Sequence, residues 1–319
     1  MPSLLFSRKG LLSLVIMILT SNFLSVAQPN YPRDPKEAKL IYSDLVNFMD
    51  AYQELATNKD TLQVLKTLYF DRGSVGLQEF IMRHQLTPEL MKEAMSADPD
   101  RYALIPDFLA NIDQVSQDFK ALMEDYGRVM PNAMYAPTYL LVGANRGIGQ
   151  ASMVGQLITL TRVADDRAKM RQLITHELSH FQQAMTMGGQ KYASLYSSPD
   201  NMLGLCLREG GAEFITSLVL GEITQTSALE YLEKNEDELK DKFLRDLKTQ
   251  QKDFWLWASV DQKSHPKLMG YAMGHKICEQ YYDRSSDKSK ALQDILRMED
   301  DQAFIESSGY FGGDLNRQN

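Results

Sequence analysis

The sequence predicts an α+β fold, mainly helical, with a small antiparallel sheet placed just before a long helix that carries two histidines. Three observations support this. Apolar residues recur at helical spacing over most of the chain beyond residue 36. Two short runs, 138–142 and 157–161, are rich in β-branched and aromatic residues. A turn-rich glycine segment separates those runs. The chain has 319 residues, enough for one large domain or two modest ones.

The elements follow in order. Arg8 and Lys9 precede an apolar run at 11–19, and a polar stretch then ends in Ser25-Val26-Ala27. A charged start, a short apolar core and a small-x-small end describe a signal peptide over residues 1–27, cleaved after Ala27. The expected location is therefore exported, periplasmic or secreted. The apolar run is short for a full span. No later segment is apolar enough to cross a bilayer, so no stable membrane span is expected after cleavage. Residues 28–36, with Pro29, Pro32 and Pro35, read as a flexible lead-in.

Residues 37–135 read as a helical N-terminal region. Leu40, Leu45 and Phe48 share a face, and Leu62, Leu65 and Leu68 repeat at helical spacing. Asp71-Arg72-Gly73-Ser74 breaks the run. Thr87-Pro88-Glu89 opens another helix with a capping residue and a proline at its first position. Ile112, Val115, Phe119 and Leu122 mark a further amphipathic helix ending near Gly127 and Pro131.

Residues 136–319 form the second region, expected to make one compact unit with the first. Its two strand-like runs flank residues 143–149, whose three glycines do not match the spacing of either phosphate-binding loop. Helix resumes after Asp165-Asp166 and runs through the histidines to about Met187. Residues 188–201 read as a loop, 202–220 as a helix and 227–250 as one strongly charged helix. Another helix runs from near Pro266 to about Tyr282.

The formal charge is −8 with the acids scattered. That argues against a nucleic-acid partner, which would need a basic face. Cys206 and Cys278 are too few and too far apart for a cysteine-rich zinc site. Export permits a disulfide between them, and two buried free thiols are the alternative.

His176-Glu177-Leu178-Ser179-His180 carries the chemistry. Histidines four apart on a helix project from nearly one face, so both imidazoles can reach a single ion. Zinc (Zn2+) suits neutral imidazole nitrogen and tolerates an open coordination position. Glu177 is placed to take a proton from water and return it to a leaving amine. Glu209, in Arg208-Glu209-Gly210-Gly211-Ala212-Glu213, is the candidate third metal ligand. Glu213, one turn on, is the carboxylate expected to orient a ligand histidine, and the reverse assignment stays open. Tyr271 is the first choice for stabilising an oxyanion, and His275, on the same helix face, the second.

His-Glu-x-x-His followed by a helix with Glu-Gly-x-Ala-Glu resembles the zinc metallopeptidases called gluzincins. In that group the first glutamate of the second motif is a ligand, which implies Glu209. The longer pattern resembles an uncharacterised bacterial family of predicted zinc-dependent proteases. It takes in Gly73-Ser74-Val75-Gly76-Leu77, Tyr139-Leu140-Leu141-Val142-Gly143, both metal motifs, Gly270-Tyr271-Ala272-Met273-Gly274 and Ser307-Ser308-Gly309-Tyr310. The resemblance implies a zincin-like metallopeptidase region.

The leading expectation is thus an exported zinc-dependent hydrolase acting on a peptide or protein, with strand 157–161 as an edge that could pair with extended substrate. The alternative is a non-catalytic, metal-containing envelope protein with a binding or structural role. An open coordination position facing a cleft favours the first, and a sealed site the second.

Overall fold

Capping side chains set many of the helix starts. Asp60, Ser74, Thr87, Asp166 and Asp287 each accept a hydrogen bond from the backbone N–H three residues on. The computed structural model describes residues 30–198, 200–256 and 265–312. The expected signal peptide lies outside the described residues.

The chain begins with β1 (Leu40–Ile41) and α1 (Ser43–Glu54), then α2 (Thr61–Leu65), which continues as a π-helical turn through Phe70. Next come α3 (Val75–His84), α4 (Pro88–Ala97), α5 (Pro99–Ala110) and α6 (Ile112–Val129). Three strands follow, β2 (Thr138–Leu141), β3 (Gly149–Ser152) and β4 (Gly155–Thr159). The rest is helical: α7 (Arg167–Met187), α8 (Gly189–Ser197), α9 (Met202–Leu220), α10 (Thr226–Lys234), α11 (Glu236–Thr249), α12 (Met269–Arg284), α13 (Lys288–Arg297) and α14 (Asp301–Ser308). The fold is α+β and mainly helical, and the described residues from Tyr31 onward form one compact unit.

The sheet differs from the antiparallel expectation. Its order is β1-β2-β4-β3, with β1–β2 and β2–β4 parallel and only β3–β4 antiparallel. After β2 the chain passes beyond the future place of β4, forms β3, turns tightly, and returns between the two as β4. The run expected to be an edge is therefore the buried interior strand, and its last residues form a 3-10 turn at Leu160–Arg162. The open edge belongs to β3.

Pleating gives β3 two distinct faces. Gln150 and Ser152 meet His84 and Glu79 of α3. Gly149 lies against Leu173 and Glu177 of α7. So α3 and α7 cover opposite faces of this strand.

Four other expectations change. Leu40 belongs to β1, not to the first helix. Residues 188–201 contain α8, which its Gly, Ser and Tyr composition disguised. The charged stretch 227–250 is two helices, broken at Asn235. Within the expected lead-in over 28–36, Tyr31 and Pro32 make tertiary contacts. Tyr31 sits edge-on to Phe181 at 5.1 Å, its hydroxyl donates to the Met153 carbonyl, and Tyr135 N–H donates to the Pro32 carbonyl at 2.8 Å. No helix among the described residues is long and apolar enough to cross a membrane.

Candidate metal centre

Helix α7 is buried from Ile174 to Ala184. Ile174, Leu178 and Phe181 join the hydrophobic core, which fixes the rotation of the helix. Polar anchors fix its depth. The Gln182 side chain bonds both the N–H and the carbonyl of Met134, at 2.9 and 2.7 Å. Ser179 and Tyr126 of α6 share a buried hydrogen bond at 3.2 Å.

So oriented, α7 brings His176 and His180 together, and α9 supplies Glu209. The separations are 2.9 Å between the two Nε2 atoms, 3.1 Å from His180 Nε2 to Glu209 Oε2, and 3.5 Å from His176 Nε2 to the same oxygen. Zinc with ligand bonds of ~2.0–2.1 Å at tetrahedral angles needs its ligand atoms about 3.3 Å apart. Among the described residues these three form a buried group able to hold a metal ion.

The surrounding hydrogen bonds fit the same reading. His180 Nδ1 lies 2.9 Å from Gln183 Oε1, a pure acceptor, so Nδ1 carries the proton. His176 Nδ1 lies 3.0 Å from Glu213 Oε1, a charge contact whose N–H is not aimed along the line between the atoms. When both imidazoles are neutral with their protons on Nδ1, both Nε2 lone pairs and a carboxylate oxygen converge with no proton among them. A cation satisfies that donor set.

Glu213 is itself held by Thr224 and by Gln225 Nε2, the latter at 3.3 Å. Gln183 Nε2 donates to the Arg208 carbonyl at 2.9 Å, tying the histidine helix to the Glu209 helix. Tyr196 of α8 donates to Glu209 Oε1 at 3.2 Å and shares a hydrogen bond with Tyr192 at 3.0 Å. Tyr196 therefore engages the carboxylate oxygen that faces away from the histidines. Gln183, Tyr192 and Tyr196 escaped the sequence reading. Only Gln183 left a signal, three residues after His180 and so on its helix face.

Without a metal, the electrostatics are those of a tight charge cluster. Burial alone would lower the His176 pKa, but Glu213, Glu209 and Glu177 outweigh it and raise it well above the ordinary imidazole value. Burial opposes charge on Glu209 and Glu213 as well, yet the histidines pull both carboxyls below their usual range. Glu177 goes the other way. Burial raises its pKa, Glu209 adds to the rise, and the two histidines and the Ala151 N–H act against it.

The four residues His176, Glu177, His180 and Glu209 line a cavity of about 620 Å³, together with β3, Tyr192, Tyr196 and Tyr271. Gly149 lets the strand lie against the glutamate, because a Cβ there would sit 2.8 Å from Glu177 Oε1. The Tyr271 ring lies parallel to that of His176, with centroids 6.2 Å apart.

His275 does not join them. It is buried edge-on to Phe214 at 5.5 Å and is not among the residues that line the cavity, and burial lowers its pKa. The reason is the contact of α9 with α12, where the backbones of Gly210 and Gly274 nearly touch and close the helix pair beyond Tyr271. Cys206 and Cys278 are both free and buried, so of the two sequence readings the thiol one holds. Cys206 packs against Gly270.

A mainly helical α+β unit with a buried His-His-Glu group facing a cavity defines a protein with a candidate metal site beside the buried carboxylate of Glu177. The chain belongs to the family described as predicted Zn-dependent protease (DUF2268), whose profile matches residues 138–303, slightly more than half of the chain. No curated protein and no solved structure matches it.

Proposed function

We propose that this chain is an exported zinc-dependent peptidase with His176, His180 and Glu209 as the metal ligands. One observation carries the reading: the three ligand atoms converge on one point at the wall of a cavity that also exposes Glu177. A zinc ion there supplies a Lewis acid that polarises a carbonyl oxygen and acidifies water.

The chain's own residues do the rest. Glu177 takes a proton from the attacking water and passes it to the leaving amine. Tyr271, whose phenol stands at the cavity wall, donates to the developing oxyanion. Glu213 and Gln183 hold the tautomers of the two histidines. The open edge of β3 pairs with extended substrate, the part the sequence had given to 157–161. The group of three lacks a fourth side-chain ligand among the described residues and faces a cavity, which supports catalysis over a structural ion.

The decisive experiment is metal analysis of the purified chain combined with a peptide-library digest. About one zinc per chain and chelator-sensitive cleavage support the reading. A metal-free protein that binds no added zinc sinks it.

Two smaller predictions follow from the surrounding contacts. Glu213→Gln keeps the volume but removes the charge at His176 Nδ1, so zinc affinity falls about 10- to 100-fold, measured by competition with a chelator. Unchanged affinity would remove Glu213 from this role.

The second concerns pH. In the metal-free chain the raised His176 pKa means the imidazolium stabilises the fold below the unfolded value, and that contribution is lost as pH rises through the folded one. Zinc must displace this proton. Apparent zinc affinity therefore rises about tenfold per pH unit while His176 is protonated, and levels off once the pH passes its raised folded pKa. A flat profile would contradict it.

A further inference from the structure

The family match starts at residue 138, yet the cavity wall includes Arg83 from α3. Among the described residues lining the cavity, Arg83 is the single lysine or arginine. Its placement is built. Arg83 Nε donates to Glu79 Oε1 at 2.5 Å, and the same oxygen accepts from Ser152 Oγ of β3 at 3.4 Å. One turn-end further, His84 Nε2 lies 3.0 Å from Gln150 Oε1. The α3 end is thus pinned to the β3 face that carries Gln150 and Ser152. Using Nε for Glu79 leaves the two terminal nitrogens of the fork, a geometry that matches a carboxylate in bidentate fashion.

A peptide added to the open edge of β3 would place directly opposite residues on a common face. The substrate residue opposite Ser152 then projects toward α3 and Arg83. Glu177 meets β3 between Gly149, whose added Cβ would touch its carboxylate, and Ala151, whose N–H it accepts. From there to Ser152 is at most three residues, about 10 Å of extended chain.

We propose that Arg83 reads a carboxylate on the substrate, so that the cleft selects peptides with an acidic group within three residues of the scissile bond. This rests on the peptidase reading above and on β3 as the substrate-pairing edge. The carboxylate could be an Asp or Glu side chain or a peptide C-terminus, and the two are separable.

The test is binding, which does not require turnover. Eight-residue neutral peptides carrying one Glu or one Gln at each position in turn are titrated, by fluorescence anisotropy, against the full chain bearing Glu177→Gln in the presence of zinc. The expected result is a single position at which Glu binds roughly fivefold tighter than Gln, the size of one partly exposed charge-assisted contact. Arg83→Gln abolishes that preference without weakening the neutral peptides, and Arg83→Lys retains part of it. The preference shrinks in high salt.

A second arm compares free and amidated C-termini. If the gain follows the free terminus, the site reads an α-carboxylate, and if it follows the Glu, a side chain. A flat scan, or a Glu preference that survives Arg83→Gln, overturns the proposal. Selective binding by a chain whose natural form cuts no peptide would leave Arg83 standing and sink the peptidase reading instead.

Discussion

Replacing Glu177 by Gln leaves zinc binding unchanged and slows peptide cleavage by about a thousandfold, within the range that a positioned acid–base group contributes. Glutamine keeps the shape and an oxygen to accept the Ala151 N–H, so β3 stays in register beside α7. It cannot accept a proton from water or deliver one to an amine. The surroundings of Glu177 suit a group that must do both. Burial and the nearby Glu209 carboxylate favour its protonated form, while the two histidines and the Ala151 N–H favour the charged one. In the metal-free chain a carboxyl balanced in this way holds a proton more readily than one in water. Cleavage at the natural rate by the glutamine variant would remove Glu177 from the chemistry. Loss of zinc along with activity would make its role structural instead.

What the sequence made legible followed from local periodicity. His176 and His180 are four apart on a helix, and their convergence needs nothing beyond helical geometry. Glu209 and Glu213 were legible by the same rule once a second helix was placed over 202–220, where α9 lies. Strand order was not legible, because the hairpin of β3 and β4 sits on the far side of β2 and nothing in either strand's composition records which one is interior. The continuous burial of β4 and the partial exposure of β3 express that order only after folding. α8 was hidden because Gly188 caps it, Gly189 is its first residue, and it buries no residue fully. Its tyrosines reach the metal group by tertiary packing that no spacing announces. His275 shows the converse failure. Sharing a helix face with Tyr271 was true, but the helix pair closes between them, so one faces the cavity and the other the core.

That closure makes Gly274→Ala a substitution with a large expected cost to the fold. A Cβ at 274 would stand 1.9 Å from the Cys206 carbonyl oxygen and 3.1 Å from Gly210 Cα. A Cβ at Gly210 would stand 2.3 Å from the carbonyl carbon of Gly274 and from the His275 nitrogen. These are backbone atoms of two packed helices, so no side-chain rotation relieves the clash, and α9 and α12 must move apart. Overpacking of this kind costs about 3 kcal/mol. The melting temperature should then fall by about 5 °C or more. Gly211→Ala is the control. Its added Cβ meets side-chain atoms only, Ile295 Cγ2, Met298 Cε and Gln183 Nε2, at 3.3 to 3.5 Å. Alanine gains up to about 1 kcal/mol of helix propensity there, so that variant should melt at or slightly above the natural chain. The contrast reaches the metal centre. Glu209 precedes Gly210 on α9, and Tyr271 lies three residues before Gly274 on α12. Separating the helices shifts both side chains relative to the histidines on α7. Gly274→Ala should therefore lose zinc affinity as well as stability, whereas Gly211→Ala keeps both. If Gly274→Ala melted with the natural chain and bound zinc equally well, the glycine contact would not be what sets the distance from Glu209 to the two imidazoles.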